Sequence, residues 1–143
     1  MGNTIRIILA VLAGMAVGSA VNMGLILLSP MVIPPPPGVD VTDMDSLASS
    51  MHLFQFKHFV FPFLAHALGT LAGAYLAVMI ASGYRLKISM LIGSLFLLGG
   101  ITNVMMLPAP GWFIGVDLIG AYLPMAWIGG RLTGKDYGAS RRS

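Results

Sequence analysis

Five polar side chains inside the apolar segments of this 143-residue chain form a candidate ligand-binding site. They are Asn22, His66, Thr70, Asn103 and Asp117. Asp117 is the only carboxylate within such a segment, and His66 is the only imidazole. An aspartate and a histidine in contact share charge that neither holds cheaply alone in lipid. We therefore expect a titratable pair, with the two asparagines as neutral hydrogen-bonding anchors.

These side chains lie at a similar depth. At about 1.5 Å per residue, Asn22, His66, Asn103 and Asp117 are roughly 6–12 Å from one interface, which the charge pattern makes the outer one. His66 and Thr70 are four residues apart and share a helix face. The spacing predicts a polar pocket open to the outside. Simpler interpretations stay open: a carboxylate that reaches water, a neutral buried imidazole, and asparagines that only join helices.

Other catalytic and cofactor chemistry finds little support. The chain has no cysteine, which excludes thiolate metal sites, iron–sulfur clusters and cysteine nucleophiles. HExxH, P-loop and GxGxxG motifs are absent from the sequence. His52 and His58 are six residues apart, a poor spacing for one helix face. We predict no cofactor and no metal, and the residues weigh against an enzyme.

Composition identifies the elements that must position this site. The chain is 57% hydrophobic and 9% charged, with a mean hydropathy of +0.87. About a quarter of the residues in an ordinary soluble domain are charged. A soluble enzyme, a nucleic-acid binder and a disordered chain are therefore excluded. The composition predicts a single-domain, multi-span membrane protein covering 1–143.

Four apolar segments have the length of a membrane span, namely 5–29, 59–82, 88–107 and 112–130. They must be helical, because lipid offers no partner for free backbone groups. The fold class is therefore an all-α integral membrane protein with four transmembrane helices. Gly18-Ser19-Ala20 has the form of a signal-peptide cleavage site, but the apolar run continues to Met31, so we expect a retained span.

Basic residues predict the orientation of the spans. Seven of the eight bases flank one side of the predicted bundle, and Lys57 is the exception. They are Arg6, Arg85, Lys87, Arg131, Lys135, Arg141 and Arg142. The positive-inside rule then places both termini in the cytoplasm, with a tail at 131–143. We expect a multi-pass protein of the cell inner membrane, with the segment 30–58 facing outward.

The outer segment has an unusual composition. It opens on Pro34-Pro35-Pro36-Pro37-Gly38, which predicts a stiff polyproline strut that ends in a turn. Apolar residues then recur at helical spacing, with Thr42 as the expected N-cap. We predict an amphipathic helix at 43–57, on the outer membrane surface or folded over the bundle. It is either a simple connector or a lid.

Two kinds of pattern link the spans. Gly73-Ala74-Tyr75-Leu76 recurs as Gly120-Ala121-Tyr122-Leu123, which predicts a tandem duplication of a helical hairpin and pairs Thr70 with Asp117. Small residues also repeat every four positions in the first two spans. Such ridges favour close helix packing, within the chain or with another subunit. They are Ala10, Gly14, Gly18, Ala65, Gly69, Gly73, Ala77 and Ala81.

Three classes of function remain. We favour binding and transport of a small molecule or ion through the polar pocket. The alternative is a non-catalytic subunit or scaffold of a membrane complex, and a membrane enzyme acting on lipid or quinone ranks third. The expected partners are the lipid bilayer and either further copies of the chain or a membrane partner subunit, without nucleic acid.

Overall fold

The computed structural model describes residues 2–81 and 83–134, and the regular structure in this part of the chain is entirely helical. Four stretches are long and apolar enough to cross a membrane, as the sequence predicted. Ser82 and the tail bases Lys135, Arg141 and Arg142 lie outside the described residues. The helices are α1 (Asn3–Val32), α2 (Met44–Ser50), α3 (Val60–Ile80), α4 (Arg85–Met106), α5 (Gly111–Gly120) and α6 (Leu123–Arg131).

The first two spans pack through the predicted small-residue ridges, and the partner lies within the chain. A Cβ placed on Gly14 would lie 2.6 Å from the carbonyl oxygen of Gly73, and one on Gly73 would lie 2.6 Å from the oxygen of Gly14. Gly18 and Gly69 show the same reciprocal approach. Hydrogen is the only side chain that fits at these crossings, so α1 and α3 make the most intimate contact in the bundle.

The remaining spans close the bundle around α3. Val78 and Ile92 are fully buried with Ala126, which joins α3, α4 and α6 in one apolar core. Gly93 allows this approach, because a Cβ there would lie 2.6 Å from the Cβ of Ala126. The α3 helix therefore contacts every other span, and it carries two of the five candidate site residues.

The fourth span differs from its prediction. Instead of one helix at 112–130, the chain forms α5 and α6, with a break at Ala121 and Tyr122. Pro124 stands at the start of α6 and has no N–H, so the carbonyl of Gly120 loses its donor four residues on. Tyr122 takes φ −114° and ψ −81°, outside the helical region.

The outer segment also differs from its prediction. The helix expected at 43–57 ends at Ser50, and two short 3₁₀ helices follow, at Met51–Leu53 and Phe56–Phe59. Asp43, rather than Thr42, is the N-cap, since its carboxylate accepts a hydrogen bond from the N–H of Ser46 at 2.8 Å. We call residues 51–59 the outer cap. Met51 and Phe59 in it are buried against Phe113 of α5, so the cap is folded onto the outer end of the bundle.

The two halves of the chain do not take the same conformation at the repeated phrase. Gly73-Ala74-Tyr75-Leu76 is helical within α3, whereas Gly120-Ala121-Tyr122-Leu123 spans the break. The α1–α3 contact is also far more extensive than the contacts of α4 with α5 and α6. The tandem duplication therefore stays a prediction from sequence.

Candidate functional site

The structure brings His66 and Asp117 together. Nδ1 of His66 lies 2.8 Å from Oδ1 and 2.9 Å from Oδ2 of Asp117, 51 positions apart in sequence. If Asp117 is ionised, its oxygens only accept hydrogen bonds and Nδ1 of His66 is the donor. The side chain of Asp117 is 4% exposed and that of His66 is 12% exposed. The pair is therefore a nearly buried unit, one turn or two below the outer ends of α3 and α5.

Tyr122 is a third member that the sequence analysis did not assign to the site. Its hydroxyl donates to Oδ2 of Asp117 at 3.1 Å, and its ring stacks on that of His66 with centroids 5.7 Å apart. Residues five apart in a continuous α-helix point about 140° away from each other. The break in span four is what turns Tyr122 back towards Asp117.

Gly100 of α4 makes room for this tyrosine. A Cβ at Gly100 would collide with the hydroxyl and ring of Tyr122. Two residues in the sequence relate to this position of Tyr122, namely Pro124, which follows it, and Gly100, which leaves space for its ring. Neither identifies Tyr122 alone, because proline and glycine are both common in membrane helices.

Thr70 lies one turn inward from His66 on the same face of α3. It is fully buried, and its hydroxyl has no hydrogen-bond partner within 2–81 and 83–134. The duplication predicted that Thr70 would face Asp117. Asp117 bonds to His66 and Tyr122, and no hydrogen bond joins it to Thr70 in the described ranges. The place of Thr70 in a ligand-binding site stays a prediction.

The two asparagines stand apart from the pair. Asn22 is half-buried on α1 and packs against Gly69, whose added Cβ would lie 3.0 Å from the Cβ of Asn22. Asn103 is half-buried on α4, three residues beyond Gly100. No hydrogen bond joins either side chain to His66 or Asp117 in the described ranges. The predicted layer is thus a tight cluster on α3, α5 and the break, with asparagines around it.

The polar cluster is covered on its outer side. Phe63 and Phe113 lie one turn outward from His66 and Asp117, and both pack with Met51 and Phe59 of the outer cap. Phe59 and Phe113 have ring centroids 4.7 Å apart. Aromatic side chains therefore follow the pair towards the outer cap, and the opening of the pocket to the outside stays a prediction.

A groove of about 570 Å³ lies elsewhere on the outer side. It is lined by Pro34–Pro37, Leu53, Gln55, Lys57 and His58. The backbone N–H of Gln55 donates to Nδ1 of His58 at 2.8 Å. The proton of that ring is therefore on Nε2, which donates to the carbonyl of Pro34 at 3.2 Å. His58 thereby ties the polyproline strut to the outer cap.

The cluster has the chemistry of a proton-holding group. Asp117 fixes the tautomer of His66, which leaves Nε2 as the nitrogen free to bind a proton or a ligand atom. In residues 2–81 and 83–134 there is no group of three or more histidine and acidic side chains able to hold a metal ion.

Comparison with known proteins adds no relative. No protein-family model matches this chain, and neither a curated protein nor a solved structure does so.

Proposed function

We propose that this chain is a membrane protein that transports a small solute or ion, with His66 and Asp117 as its titrating element. One observation carries the proposal: a nearly buried carboxylate bonded to an imidazole and a tyrosine at a break in a membrane span. Ionisable groups within spans are expensive and mark proton or substrate pathways. Discontinuous helices near the middle of a membrane bundle form binding sites in many transporters.

The geometry supports one binding step. An ionised Asp117 stabilises a proton on Nδ1 of His66, and Nε2 takes up a second proton or a donor atom of the solute. Tyr122 donates to the same carboxylate and can keep it partly neutralised when the imidazole changes its charge. Thr70 offers a hydroxyl one turn further inward. The outer cap must move before a solute can reach this cluster from outside, so we assign it the role of a lid.

The proposal includes an orientation and a partner. Arg6 at the start of α1 donates to the carbonyl of Ile80 at the end of α3 at 2.6 Å. Arg85 begins α4 and Arg131 ends α6, so the chain direction of the spans puts all three bases at one end of the bundle. We place this end in the cytoplasm and the chain in the cell inner membrane. Four spans form a thin wall, so we propose that the transport pathway is completed by further copies of the chain.

The test is proton entry into sealed vesicles. The purified chain is reconstituted with a trapped pH-sensitive dye, and a potassium gradient with valinomycin sets the interior negative. We expect faster acidification than in protein-free vesicles, and an Asp117→Asn variant should return the rate to that background. Asp45→Asn is the matched control, because Asp45 is an exposed carboxylate outside the spans. Equal rates for wild type and protein-free vesicles would contradict the proposal.

The scaffold alternative rests on one further observation. Most of the α1 surface away from α3 is exposed, including the small residues Ala16, Ala20 and Gly24 at spacing four. A scaffold that uses this face predicts a stoichiometric membrane partner in gently extracted material. It also predicts that Asp117→Asn leaves the complex intact.

A further inference from the structure

An ordered aromatic pair projects from the outer side of the molecule. Phe56 begins the second 3₁₀ helix of the outer cap, and Trp112 is the second residue of α5. Phe56 is 72% exposed and Trp112 is 47% exposed, yet their rings stack with centroids 5.3 Å apart and an angle of 22°. A pair this exposed, and still in fixed register, has an open face that something apolar must cover in the working protein.

The depth of the pair indicates what covers it. The apolar stretches that hold these residues run over Phe56–Ile80 and Gly111–Arg131, so both rings stand at the outer ends of membrane spans. Polar side chains flank the phenylalanine, since Gln55 and Lys57 are both exposed. Aromatic residues with polar neighbours at span ends are typical of the boundary between hydrocarbon and headgroups.

We infer that the stacked Phe56–Trp112 pair is an anchor that docks the outer cap onto the outer leaflet of the bilayer. Its partner is the headgroup and upper acyl region of the lipid, where an indole can satisfy its N–H while its ring stays in an apolar setting. This inference depends on the four spans and on the proposed orientation, and not on transport. It gives the outer cap a fixed attachment to lipid at one edge.

The anchor is connected to the polar cluster through Phe59 and Phe113. Trp112 meets Phe59 edge to face at 5.5 Å, and Phe59 packs on Phe113, which precedes Asp117 by one helical turn. Leu53, three residues before Phe56, is 47% exposed and extends the apolar edge. Any movement that opens the cap must therefore slide Phe56 along the lipid surface or lift it out.

Single-tryptophan reporters test the anchor directly. The chain has two tryptophans, Trp112 and Trp127, so replacing both by phenylalanine gives a silent background. A Phe56→Trp reporter in that background, in vesicles, is compared with a His52→Trp reporter on an exposed polar position of the same segment. Fluorescence is quenched by lipids brominated near the headgroup, by lipids brominated near the bilayer centre, and by aqueous acrylamide.

We expect the Phe56→Trp reporter to be quenched most by shallow bromines and several times less by acrylamide than the His52→Trp reporter. Trp112 alone, in Trp127→Phe, should show the same depth. Full quenching of the Phe56→Trp reporter by acrylamide would overturn the inference, because the ring would then lie in water. Strongest quenching by deep bromines would overturn it as well, and so would resistance to every quencher, which would place the pair under another protein.

Discussion

The seam between α1 and α3 and the cluster around Asp117 lie in the same bundle and follow opposite rules. The seam joins two continuous helices, whose backbones approach closely at Gly14–Gly73 and Gly18–Gly69. The cluster is polar, and it stands where span four breaks. At the seam, the backbone groups are hydrogen-bonded within regular helices. At the cluster, the helix is interrupted, and the interruption directs the side chain of Tyr122 towards Asp117.

The two regions show two uses of helix geometry: close packing of regular helices, and a break that reorients a side chain. Small residues at spacing four let two regular helices approach without any polar group, and van der Waals contact supplies the stability. A break costs backbone hydrogen bonds, but it places a side chain that a regular helix would point elsewhere. The polar cluster therefore depends on an irregular stretch of helix, which the glycine seam does not need.

The largest expected effect comes from filling the seam. Gly18→Leu places a branched side chain where a Cβ alone would lie 2.6 Å from the oxygen of Gly69 and 2.6 Å from the ring of Phe96. Overpacking a tight site costs about 1–3 kcal/mol and sometimes more, and here two backbones must separate. We expect loss of the folded protein, or a melting temperature in detergent far below that of wild type.

Gly24→Leu is the control for the seam, because nothing lies within 4 Å of a Cβ at that position of the same helix. It should melt like wild type or slightly higher. Equal melting of Gly18→Leu and wild type would show that α1 and α3 can separate without cost. The claim that the close glycine contacts stabilise the seam would then be wrong.

The next effect isolates the hydroxyl at the cluster. Tyr122→Phe removes the donor to Oδ2 of Asp117 and leaves the ring against Gly100 and His66. Hydrogen bonds to charged groups contribute about 1.5–3 kcal/mol, so we expect a loss of unfolding free energy of that size. Denaturation in mixed micelles measures it.

The matched control is the tyrosine of the other repeated phrase. Tyr75 is 39% exposed within the continuous helix α3, so Tyr75→Phe should change the unfolding free energy little. If both tyrosine variants lose the same stability, the position of Tyr122 at the break has no special weight. A larger loss in Tyr122→Phe alone would support the assignment of the hydroxyl to the carboxylate.

Sequence patterns predicted the seam well because its cause is local. Residues four apart along a helix share a face. Gly14 and Gly18 lie on the face of α1 that contacts α3, and Gly69 and Gly73 lie on the facing side of α3. Hydropathy likewise predicted four membrane-length helices, since lipid leaves few alternatives to a helix. Depth counting placed His66 and Asp117 at one level, and their contact followed.

Non-local geometry set the limits of that prediction. Proline is common in membrane helices, so Pro124 alone did not predict the break that brings Tyr122 into the cluster. The outer helix was drawn too long because its apolar spacing continues through Phe54. The chain instead leaves the helix after Ser50 and starts again at Gln55, whose side chain caps the second 3₁₀ helix. Met51 and Phe59 pack on Phe113 of a distant span, and no local pattern predicts contacts of this kind.

The smallest expected effect concerns Asp40, an exposed carboxylate that contrasts with the buried Asp117. Asp40, in the outer segment, accepts hydrogen bonds from the hydroxyl of Thr42 at 2.6 Å and from its N–H at 2.9 Å. The Thr42 hydroxyl, and then its N–H, lower the pKa of Asp40 below its ordinary value. Thr42→Val removes the first donor and keeps the second, so the pKa of Asp40 should rise part of the way back.

The sign of the pH dependence follows from that direction. A lowered pKa in the folded chain means that the contribution of Asp40 is complete above the unfolded value, about 3.9, and is lost as the pH falls through the folded value. Because Asp40 is exposed, the change in stability should be slight, well below that for Tyr122→Phe. Carbon-detected NMR of the Asp40 carboxyl in nanodiscs measures the titration, and Thr42→Ser, which keeps a hydroxyl, should titrate like wild type. Identical titrations of wild type and Thr42→Val would mean that the hydroxyl donor has no effect on the pKa of an exposed carboxylate. Burial would then be the only difference between Asp40 and Asp117 that could give the Tyr122 hydroxyl its larger effect.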